Sequence, residues 1–447
     1  MRILIIGSGA REHTFCWALA HSAQQPELFC LPGNAGIAKI ARQVPLNAAD
    51  SAACAQWAID NAIDVTVVGP EEPLAHGFAD TFRAAGLRCL GPSKSAAQIE
   101  SSKVWAKEFM LRNNIPTAPA FLVNRQTLPS AIKKLQSLEQ VYPVAVKADG
   151  LAAGKGVVIA ANADEAVDAL RAMIEEDRFG SAGAMVLVES FLHGREVSVF
   201  AISDGSSFKL LGAACDHKRA FDHDDGPNTG GMGAYSPPEW LPESMLQRIE
   251  KTIIAPVIMA MAQENNPFKG FLFAGLMITD DGPKVIEFNA RMGDPETQVI
   301  LPRIVQPDFA DLCVAAAEER LFMLPDIQFS NQAACGVVIA AQNYPESGVT
   351  DAPIAGLDVL PADFPGFEDL RRRATLSGEM LITVAAQNDH DRILRLDNGT
   401  YDVPAMNVLI QVINHGIDHR SQIATLLSHQ GITPVDLDGW SYNDALK

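Results

Sequence analysis

The sequence has no long apolar run and no paired-cysteine motif. No hydrophobic stretch approaches the roughly 18 residues that a membrane-spanning helix needs. The apolar stretch at residues 2–6 ends at Gly7 and is too short for a secretory signal. The seven cysteines are scattered, odd in number and without a C-x-x-C pair, which is typical of a reduced protein. We therefore expect a cytoplasmic protein without a membrane partner.

Basic residues are also scarce. Lys and Arg together number 35 against 54 Asp and Glu, which gives a net charge of −19. A field of this sign opposes general binding to nucleic acid or to anionic membranes. It still permits an anionic small substrate in a local basic pocket.

The N-terminal segment lacks one glycine of the dinucleotide-binding fingerprint. A buried-type strand at residues 3–6 is followed by Gly7-Ser-Gly9 and a helix that extends to Ala20, but position 12 is Glu. A strand, a Gly-x-Gly turn and a helix together place backbone N–H groups and a positive helix end beside a potential anion. The pattern therefore favours phosphate over NAD, and a purely structural turn fits it equally well.

A glycine-rich loop after a short strand is the second candidate phosphate site. Residues 144–157 place Lys147 at the end of a β-branched run and Lys155 among Gly150, Gly154 and Gly156. Glycines allow close approach of the backbone to a ligand, and free N–H groups in such loops bind phosphate oxygens. The Walker spacing is absent. The alternative is a hairpin turn with solvated lysines.

A strand at residues 284–289 predicts a metal site. Glu287 and Asn289 are two residues apart and share one face of the strand, opposite Ile286 and Phe288. Two oxygen ligands suit Mg²⁺, which usually takes one or two protein groups plus substrate phosphates. The alternative is the solvated edge of a half-buried strand.

The polar stretch at residues 216–237 shows neither helical nor strand periodicity. Ordered loops of this length are usually functional, and a disordered loop is the alternative. His217 and His223 lack a nearby Cys and regular spacing, so zinc is not predicted.

Taken in order, the motifs of residues 1–360 resemble the glycinamide ribonucleotide synthetase family of the ATP-grasp superfamily. The strings that carry the resemblance are Gly7-x-Gly-x-Arg-Glu-His13, Pro32-Gly-Asn-Ala-Gly36, Gly69-Pro-Glu-x-Pro-Leu74, Lys147-Ala-Asp-Gly-Leu-Ala-Ala-Gly-Lys-Gly156, Asp216-His-Lys-Arg219, Gly226-Pro-Asn-Thr-Gly-Gly-Met-Gly-Ala-Tyr-Ser-Pro237 and Glu287-Phe-Asn-x-Arg-x-Gly-Asp-Pro-Glu-Thr-Gln298.

The resemblance implies a multidomain protein of the α/β and α+β classes. A Rossmann-like pre-ATP-grasp domain is expected at residues 1–104 and an ATP-grasp domain at 105–325, with a lid subdomain at about 120–194. A truncated, β-rich C-terminal domain would follow at 326–365. The last segment, 366–447, is predicted to be helical.

The resemblance also assigns roles to individual residues. ATP would contact Lys107, Lys147, Gly154, Lys155, Gly156, Glu189, Phe191, Leu192 and Glu196. Glu287 and Asn289 would hold Mg²⁺ or Mn²⁺. The substrate side would comprise Gly9, Arg11, Glu12, His13, Asn34, Gly36, Glu71, Asn228, Thr229 and Gly230. The residues expected to act in catalysis are Lys147, Arg291, Asp216, Lys218 and Asp294.

The implied reaction joins glycine to 5-phosphoribosylamine through glycyl phosphate, as a step of purine biosynthesis. An ATP-grasp ligase acting on another carboxylate is one alternative. An impaired enzyme or scaffold is another, because the C-terminal segment departs from the family pattern.

The departure begins after residue 361. Residues 402–431 resemble the last helix of DinB-like four-helix bundles, and residues 370–396 are the expected preceding helix. His415 and His419 lie on one face of that helix, and we predict packed histidines, since two ligands make a poor metal site. The family resemblance implies a monomer, whereas the apolar face of a half-bundle favours association.

Overall fold

The computed structural model describes residues 1–137, 140–150, 156–175, 184–221, 225–338, 340 and 344–345, and the backbone of two short strands at 393–396 and 401–404. The chain divides into two units, Met1–Thr350 and Asp351–Lys447. None of the described helices is long and apolar enough to span a membrane.

The N-terminal part is a parallel sheet with helices, as predicted. Its strands are β1 (Arg2–Gly7), β2 (Glu27–Pro32), β3 (Arg42–Gln43), β4 (Val65–Val68) and β5 (Cys89–Leu90), in the order β3-β2-β1-β4-β5. Its helices are α1 (Ala10–Ala20), α2 (Ser51–Asp60), α3 (Glu71–Ala75) and α4 (Phe78–Ala84). Because all pairings are parallel, the turns after β1 and β4 lie at the same edge of the sheet.

Two helices connect this sheet to the next one. These are α5 (Gln98–Ser101) and α6 (Lys103–Arg112). Ser102 begins α6 as its N-cap, because its Oγ accepts a hydrogen bond from Trp105 N at 3.0 Å.

A four-stranded sheet with its own hydrophobic core, named the lid sheet here, lies within residues 120–190. That this part acts as a lid remains a prediction. The sheet comprises β6 (Ala120–Asn124), β7 (Val144–Ala148), β8 (Val157–Ala160) and β9 (Met185–Ser190), in the order β6-β9-β7-β8, with helices α7 (Leu128–Leu135) and α8 (Ala163–Ile174). Asn162 caps α8, because its Oδ1 accepts a hydrogen bond from Glu165 N at 3.0 Å. Glu165 Oε2 in turn accepts from Ala161 N at 2.8 Å. Asn162 and Glu165 are three residues apart, which is the spacing of a capping box, and this pair begins α8.

An antiparallel six-stranded sheet forms the largest layer. Its strands, in the order β16-β15-β10-β11-β14-β19, are β10 (Arg195–Asp204), β11 (Phe208–Asp216), β14 (Gly233–Ser236), β15 (Lys269–Thr279), β16 (Gly282–Asn289) and β19 (Ala334–Val337). Helices α9 (Glu243–Ile249) and α10 (Ala255–Gln263) are joined by one π-helical segment, Glu250–Ile254. Helices α11 (Thr297–Ile300) and α12 (Phe309–Ala317) and the pair β17 (Ile304–Gln306) and β18 (Gln328–Phe329) follow.

Two sequence predictions need correction. The polar stretch after Asp216 contains strands, namely the ribbon of β12 (Arg219–Phe221) and β13 (Asp225–Asn228), followed by β14. Within the tail, β20 (Ile393–Leu396) and β21 (Tyr401–Pro404) pair antiparallel, so these residues are not helical. The remainder of the predicted tail, with His415 and His419, lies outside the described residues.

Three phenylalanines join the N-terminal sheet layer to the large sheet. Phe15 on α1 packs against Phe271 on β15 and Phe309 on α12, each with ring centroids 5.4 Å apart, and Phe271 and Phe309 are 6.0 Å apart. All three side chains are buried.

We expect Phe271→Ala to lower the free energy of unfolding by about 3–5 kcal/mol, because it leaves a cavity between these layers. Urea denaturation followed by circular dichroism measures the change. Phe322→Ala is the control, since Phe322 is 67% exposed and should change stability by less than about 0.5 kcal/mol. Equal losses in the two variants would contradict the cluster's role.

Candidate active site

One buried carboxylate holds two lysines at the junction of α6 and the lid sheet. Glu189 Oε1 lies 2.6 Å from Lys107 Nζ, and Glu189 Oε2 lies 2.5 Å from Lys147 Nζ. The three side chains are between 3% and 8% exposed. Burial lowers the pKa of Lys107, with Lys147 adding to the effect and Glu189 opposing it.

Strand pairing explains why these groups meet. In β7 and β9, Ala145 is opposite Glu189, so Lys147, two residues further along, is the diagonal neighbour of Glu189 on the same face. Lys107 arrives from α6 and also donates to Thr117 Oγ1 at 2.6 Å and Ala118 O at 3.0 Å. All three Lys107 N–H groups are therefore used.

Lys147 keeps one donor. Its Nζ donates to Glu189 and to Ile286 O at 3.2 Å, and no third acceptor is found among the described residues. Ile286 directly precedes the predicted metal ligand Glu287, so the free N–H of Lys147 lies next to the proposed metal strand.

The start of the glycine-rich loop is tied to the first turn of α6. Asp149 accepts from Ser102 Oγ at 3.0 Å and from Val104 N at 3.1 Å, and Lys103 Nζ donates to Gly150 O at 2.9 Å. At the far end, Gly156 O accepts from Ala148 N at 2.9 Å. Gly154 and Lys155 lie outside the described residues.

Glu287 and Asn289 lie on one face of β16, as predicted. Gly275 and Phe273 of β15 are their respective partners, and a β-bulge beside Gly275 interrupts the pairing just before Glu287. Burial alone would raise the pKa of Glu287, but Lys218, Lys147, Lys103 and Arg291 outweigh burial and hold it below its usual value. Glu287 is therefore ionised at neutral pH.

The donor set fits a divalent cation of the magnesium type. A carboxylate and an amide oxygen are hard ligands, and the buried Asn289 Nδ2 has no hydrogen-bond partner in the described part of the chain. No group of three or more His, Cys, Asp or Glu side chains that could hold a metal occurs among the described residues. A cation here would thus depend on substrate oxygens to complete its shell.

A pocket beside this strand is lined by Glu196, Ser198, Lys218 and Glu287. Lys218 Nζ lies 3.3 Å from Glu196 and 3.8 Å from Asp216. Burial lowers the pKa of Lys218, but Asp216, Glu196 and Glu287 raise it above its ordinary value. Two predicted site residues, Glu196 and Lys218, therefore line one pocket with Glu287, and Asp216 contacts Lys218.

The segment between β9 and β10 carries Phe191 and Leu192, both half-buried. Its Gly194 has φ +157°, and a Cβ there would lie 2.1 Å from Ile278 O. Only glycine allows this close approach, which fixes the path of the chain from Glu189 to Glu196.

The ribbon of β12 and β13 brings the next predicted residues beside Lys218. Asn228 pairs with Arg219, and Thr229 donates from N and from Oγ1 to Lys218 O, at 2.7 and 2.9 Å. Gly230 N donates to Tyr344 Oη at 3.1 Å.

The turn after β1 is built around Glu12. Its carboxylate accepts from Gly9 N at 2.7 Å and from Arg11 Nε at 2.6 Å, and its side chain is 2% exposed. A Cβ at Gly7 or Gly69 would lie within 2.5 Å of the Glu12 side chain. The Glu12 side chain therefore occupies the space that a Cβ would need at Gly7 and at Gly69, so both positions require glycine.

Neighbouring loops complete this edge of the sheet. Asn34 Nδ2 donates to Ser8 O at 2.8 Å, and a Cβ at Gly36 would lie 2.5 Å from the His13 ring. Burial lowers the pKa of His13, and Lys39 adds to the effect. Asp294 Oδ2 lies 3.4 Å from Arg11 N, so the turn after β16 contacts the first turn of α1.

Arg291 is held by two carboxylates of the N-terminal part. Its Nε lies 3.1 Å from Glu71 and its Nη2 3.2 Å from Glu100. Burial raises the pKa of Glu100 and, despite the opposing charge of Arg291, it stays above the ordinary value. Arg291 lowers the pKa of Glu71 against the effect of burial.

Two family models match residues 1–297 in succession. The family model described as the phosphoribosylglycinamide synthetase N domain matches residues 1–100, and that of the ATP-grasp (A) domain matches residues 101–297. The chain belongs to the phosphoribosylglycinamide synthetase family.

Relatives of the synthetase family match most of the chain. A phosphoribosylamine–glycine ligase of Xylella fastidiosa is 44% identical over 394 residues, which cover 86% of this chain and 90% of that protein. The crystal structure of a phosphoribosylamine–glycine ligase from Thermotoga maritima has a TM-score of 0.68 at 32% identity, covering 78% of this chain and 83% of the other. A biotin carboxylase domain of Hydrogenobacter thermophilus, solved with MgADP, has a TM-score of 0.58 at 18% identity, covering 76% and 75%, and shares the fold.

Sequence reasoning missed three charged residues of this synthetase site. Lys103 contacts the loop at Gly150, Glu100 contacts Arg291, and Glu296 lies with its carboxylate against Gly293, where a Cβ would be 2.3 Å away. Glu296 belongs to the motif from Glu287 to Gln298, and its place in that motif was the available signal. For Glu100 no local pattern exists, because its partners lie about 190 residues away.

The shared carboxylate generates one prediction. Glu189→Gln leaves two buried lysines without their anion, and we expect the free energy of unfolding to fall by about 3–5 kcal/mol. Adding Lys107→Met should recover part of that loss, and a double-mutant cycle in urea measures the coupling. Glu264→Gln, at the exposed pair with Arg112, should cost less than about 1 kcal/mol. Strict additivity of the two buried changes would contradict the shared ion pair.

Glu296 generates a pH prediction. Burial, with Asp216 adding to it, raises the pKa of Glu296 to about 7, against the opposing charges of Lys218 and Arg291. A carboxyl whose pKa is higher folded than unfolded stabilises the fold below its unfolded pKa, and this contribution is lost as the pH rises through the folded value. Relative to wild type, Glu296→Gln should therefore gain stability between pH 5 and pH 8, by an amount that chemical denaturation measures at each pH.

Glu264→Gln is the control for that experiment, because the pKa of Glu264 is shifted in the opposite direction. Hydrogen bonding to Arg112 lowers the pKa of Glu264, so Glu264→Gln should not gain stability over the same range. A flat difference between Glu296→Gln and wild type would show that Glu296 ionises freely.

Proposed function

We propose that the chain is a phosphoribosylamine–glycine ligase, which joins glycine to 5-phosphoribosylamine with hydrolysis of ATP. The products are glycinamide ribonucleotide, ADP and phosphate, and the reaction is a step of de novo purine biosynthesis. The observation that carries the proposal is the joint presence, in one site, of the Lys107–Glu189–Lys147 group and the Glu287/Asn289 face, in a chain of this family.

The reaction needs charge neutralisation more than a nucleophilic side chain. A glycine carboxylate oxygen attacks the terminal phosphorus of ATP and ADP leaves, which gives glycyl phosphate. The amine of phosphoribosylamine then attacks the carbonyl carbon, phosphate leaves, and the amine nitrogen loses a proton. Both steps bring anionic groups together, so positioned cations supply most of the catalysis.

The nucleotide is assigned to the face between the lid sheet and the large sheet. Lys147 offers its remaining N–H to phosphate, with Lys107 beside it, and Gly154, Lys155 and Gly156 are also assigned to the phosphates. Phe191 and Leu192 flank the adenine, and Glu196 binds the ribose. This arrangement is supported by the uninterrupted path from Glu189 to Glu196 described above.

A divalent metal is held by Glu287 and Asn289, and it supplies positive charge to the phosphate oxygens when bound. We propose Mg²⁺ as the physiological ion and Mn²⁺ as its substitute, because both accept oxygen ligands. The depressed pKa of Glu287 keeps its carboxylate ready for a cation at neutral pH.

The two remaining substrates are assigned to the other edges of the site. The turn of Gly9–His13, with Asn34, Gly36 and Glu71, receives the phosphate and ribose of phosphoribosylamine. Asp216, Lys218, Arg291 and Asp294, with Asn228, Thr229 and Gly230, receive glycine. The contact of Asp294 with Arg11 N supports this assignment, since it joins the two edges.

The oligomeric state and the cellular location are proposed from the family resemblance and from the cysteine content. We propose a monomer that acts in the cytoplasm, where its seven cysteines, all free, stay reduced. The domain limits at 104/105 and 325/326 are proposed with it.

The alternatives differ in a simple assay. An impaired enzyme or scaffold would not make glycinamide ribonucleotide, and its gene would not restore growth to a purine auxotroph lacking this step. A ligase of another carboxylate would release ADP faster with an acid other than glycine. Neither alternative is favoured, because the charged groups of the site are in place.

We expect Lys147→Ala and Glu287→Ala each to abolish glycine-dependent ADP release in the presence of phosphoribosylamine. The first removes the donor that faces the phosphates, and the second removes the metal carboxylate. Steady-state ADP release measures both, beside Glu264→Gln as a control of near wild-type rate. Near-normal turnover in either variant, with circular dichroism showing a folded protein, would refute the assignment.

A further inference from the structure

The guanidinium of Arg291 contacts four protein groups. Besides the two carboxylates, its Nη2 donates to Asn289 Oδ1 at 3.2 Å and its Nη1 to Met292 O at 3.1 Å. An arginine that is largely buried and held by two carboxylates, an amide oxygen and a backbone carbonyl is fixed in position. Its contact with Asn289 then fixes the orientation of the amide that is proposed to bind metal.

Glu100 holds that arginine from the opposite side. One oxygen of its carboxylate contacts Arg291 Nη2, and the other accepts from Ala290 N at 2.7 Å. The Glu100 side chain is 7% exposed, against 38% for Glu71. Glu100 is therefore the less solvated of the two carboxylates and the one that also fixes the backbone between Asn289 and Arg291.

We propose that Glu100 is a positioning residue for the metal site, which sets the Asn289 side chain through Arg291 and the Ala290 backbone. The inference rests on the metal site of the proposed function. Glu100 belongs to α5, between the N-terminal sheet and α6, so it ties this metal strand to the end of the N-terminal part. Groups that orient metal ligands typically contribute about 10–100-fold to metal affinity.

Glu100→Gln isolates the charge. The amide oxygen still accepts from Ala290 N, so the NH₂ group faces Arg291 and the ion pair is lost. Arg291 is then held less firmly, and Asn289 loses its fixed donor.

The experiment measures metal binding directly on the full chain. Electron paramagnetic resonance of free Mn²⁺ gives the affinity for Mn²⁺ at saturating ADP, and calorimetry gives the affinity for ADP alone in EDTA. We expect Glu100→Gln to bind Mn²⁺ about tenfold more weakly or worse, with ADP binding in EDTA changed less than about twofold. Glu264→Gln, the same change at an exposed arginine pair, should alter neither affinity.

Each other outcome counts against the inference. Unchanged Mn²⁺ affinity in folded Glu100→Gln would overturn it, and so would an equal loss of ADP affinity in EDTA, which indicates general disorder of the site. Wild-type protein that bound ADP but no Mn²⁺ would overturn the proposed metal site and this inference together.

Discussion

The site depends on one carboxylate shared by two buried lysines. Without Glu189, Lys107 and Lys147 would be two buried lysines at the base of the lid sheet with no anion beside them. Glu189 contacts both of them and thereby fixes three elements, α6, β7 and β9, to one another. The same contact thus provides charge for phosphate binding and a rigid attachment for the lid sheet.

The opposite wall of the site uses the reverse arrangement, in which one cation is shared by two carboxylates. Arg291 follows the metal strand, and Glu71 and Glu100 approach it from the N-terminal part. The two carboxylates respond differently, because burial outweighs Arg291 at Glu100 and raises its pKa, whereas Arg291 outweighs burial at Glu71 and lowers its pKa. Glu287 has a different environment, in which Lys218, Lys147, Lys103 and Arg291 outweigh burial and keep its carboxylate ionised.

Local patterns predicted the elements and several ligands, whereas the partners of those ligands depend on tertiary contacts. The alternation around Glu287 and Asn289 is local, and the structure has it as predicted. The capping pair of Asn162 and Glu165 is a local feature of the same kind. Glu100 could not be found in this way, since its contacts come from residues far along the chain. The strands at 219–228 were missed because three or four residues are too few to show alternation.

A ligase of this kind gains little from any single reactive group, and the structure shows why. Lys107, Lys218 and Arg291 each have partners that orient them, whereas Lys147 keeps one donor and Asn289 keeps one amide N–H group without a partner among the described residues. Preorganised groups stabilise developing charge without reorganising during the reaction. The unsatisfied groups of Lys147 and Asn289 are both N–H donors, so in the proposed site they are suited to acceptor oxygens of the substrates, and a metal would depend on the oxygens of Glu287 and Asn289.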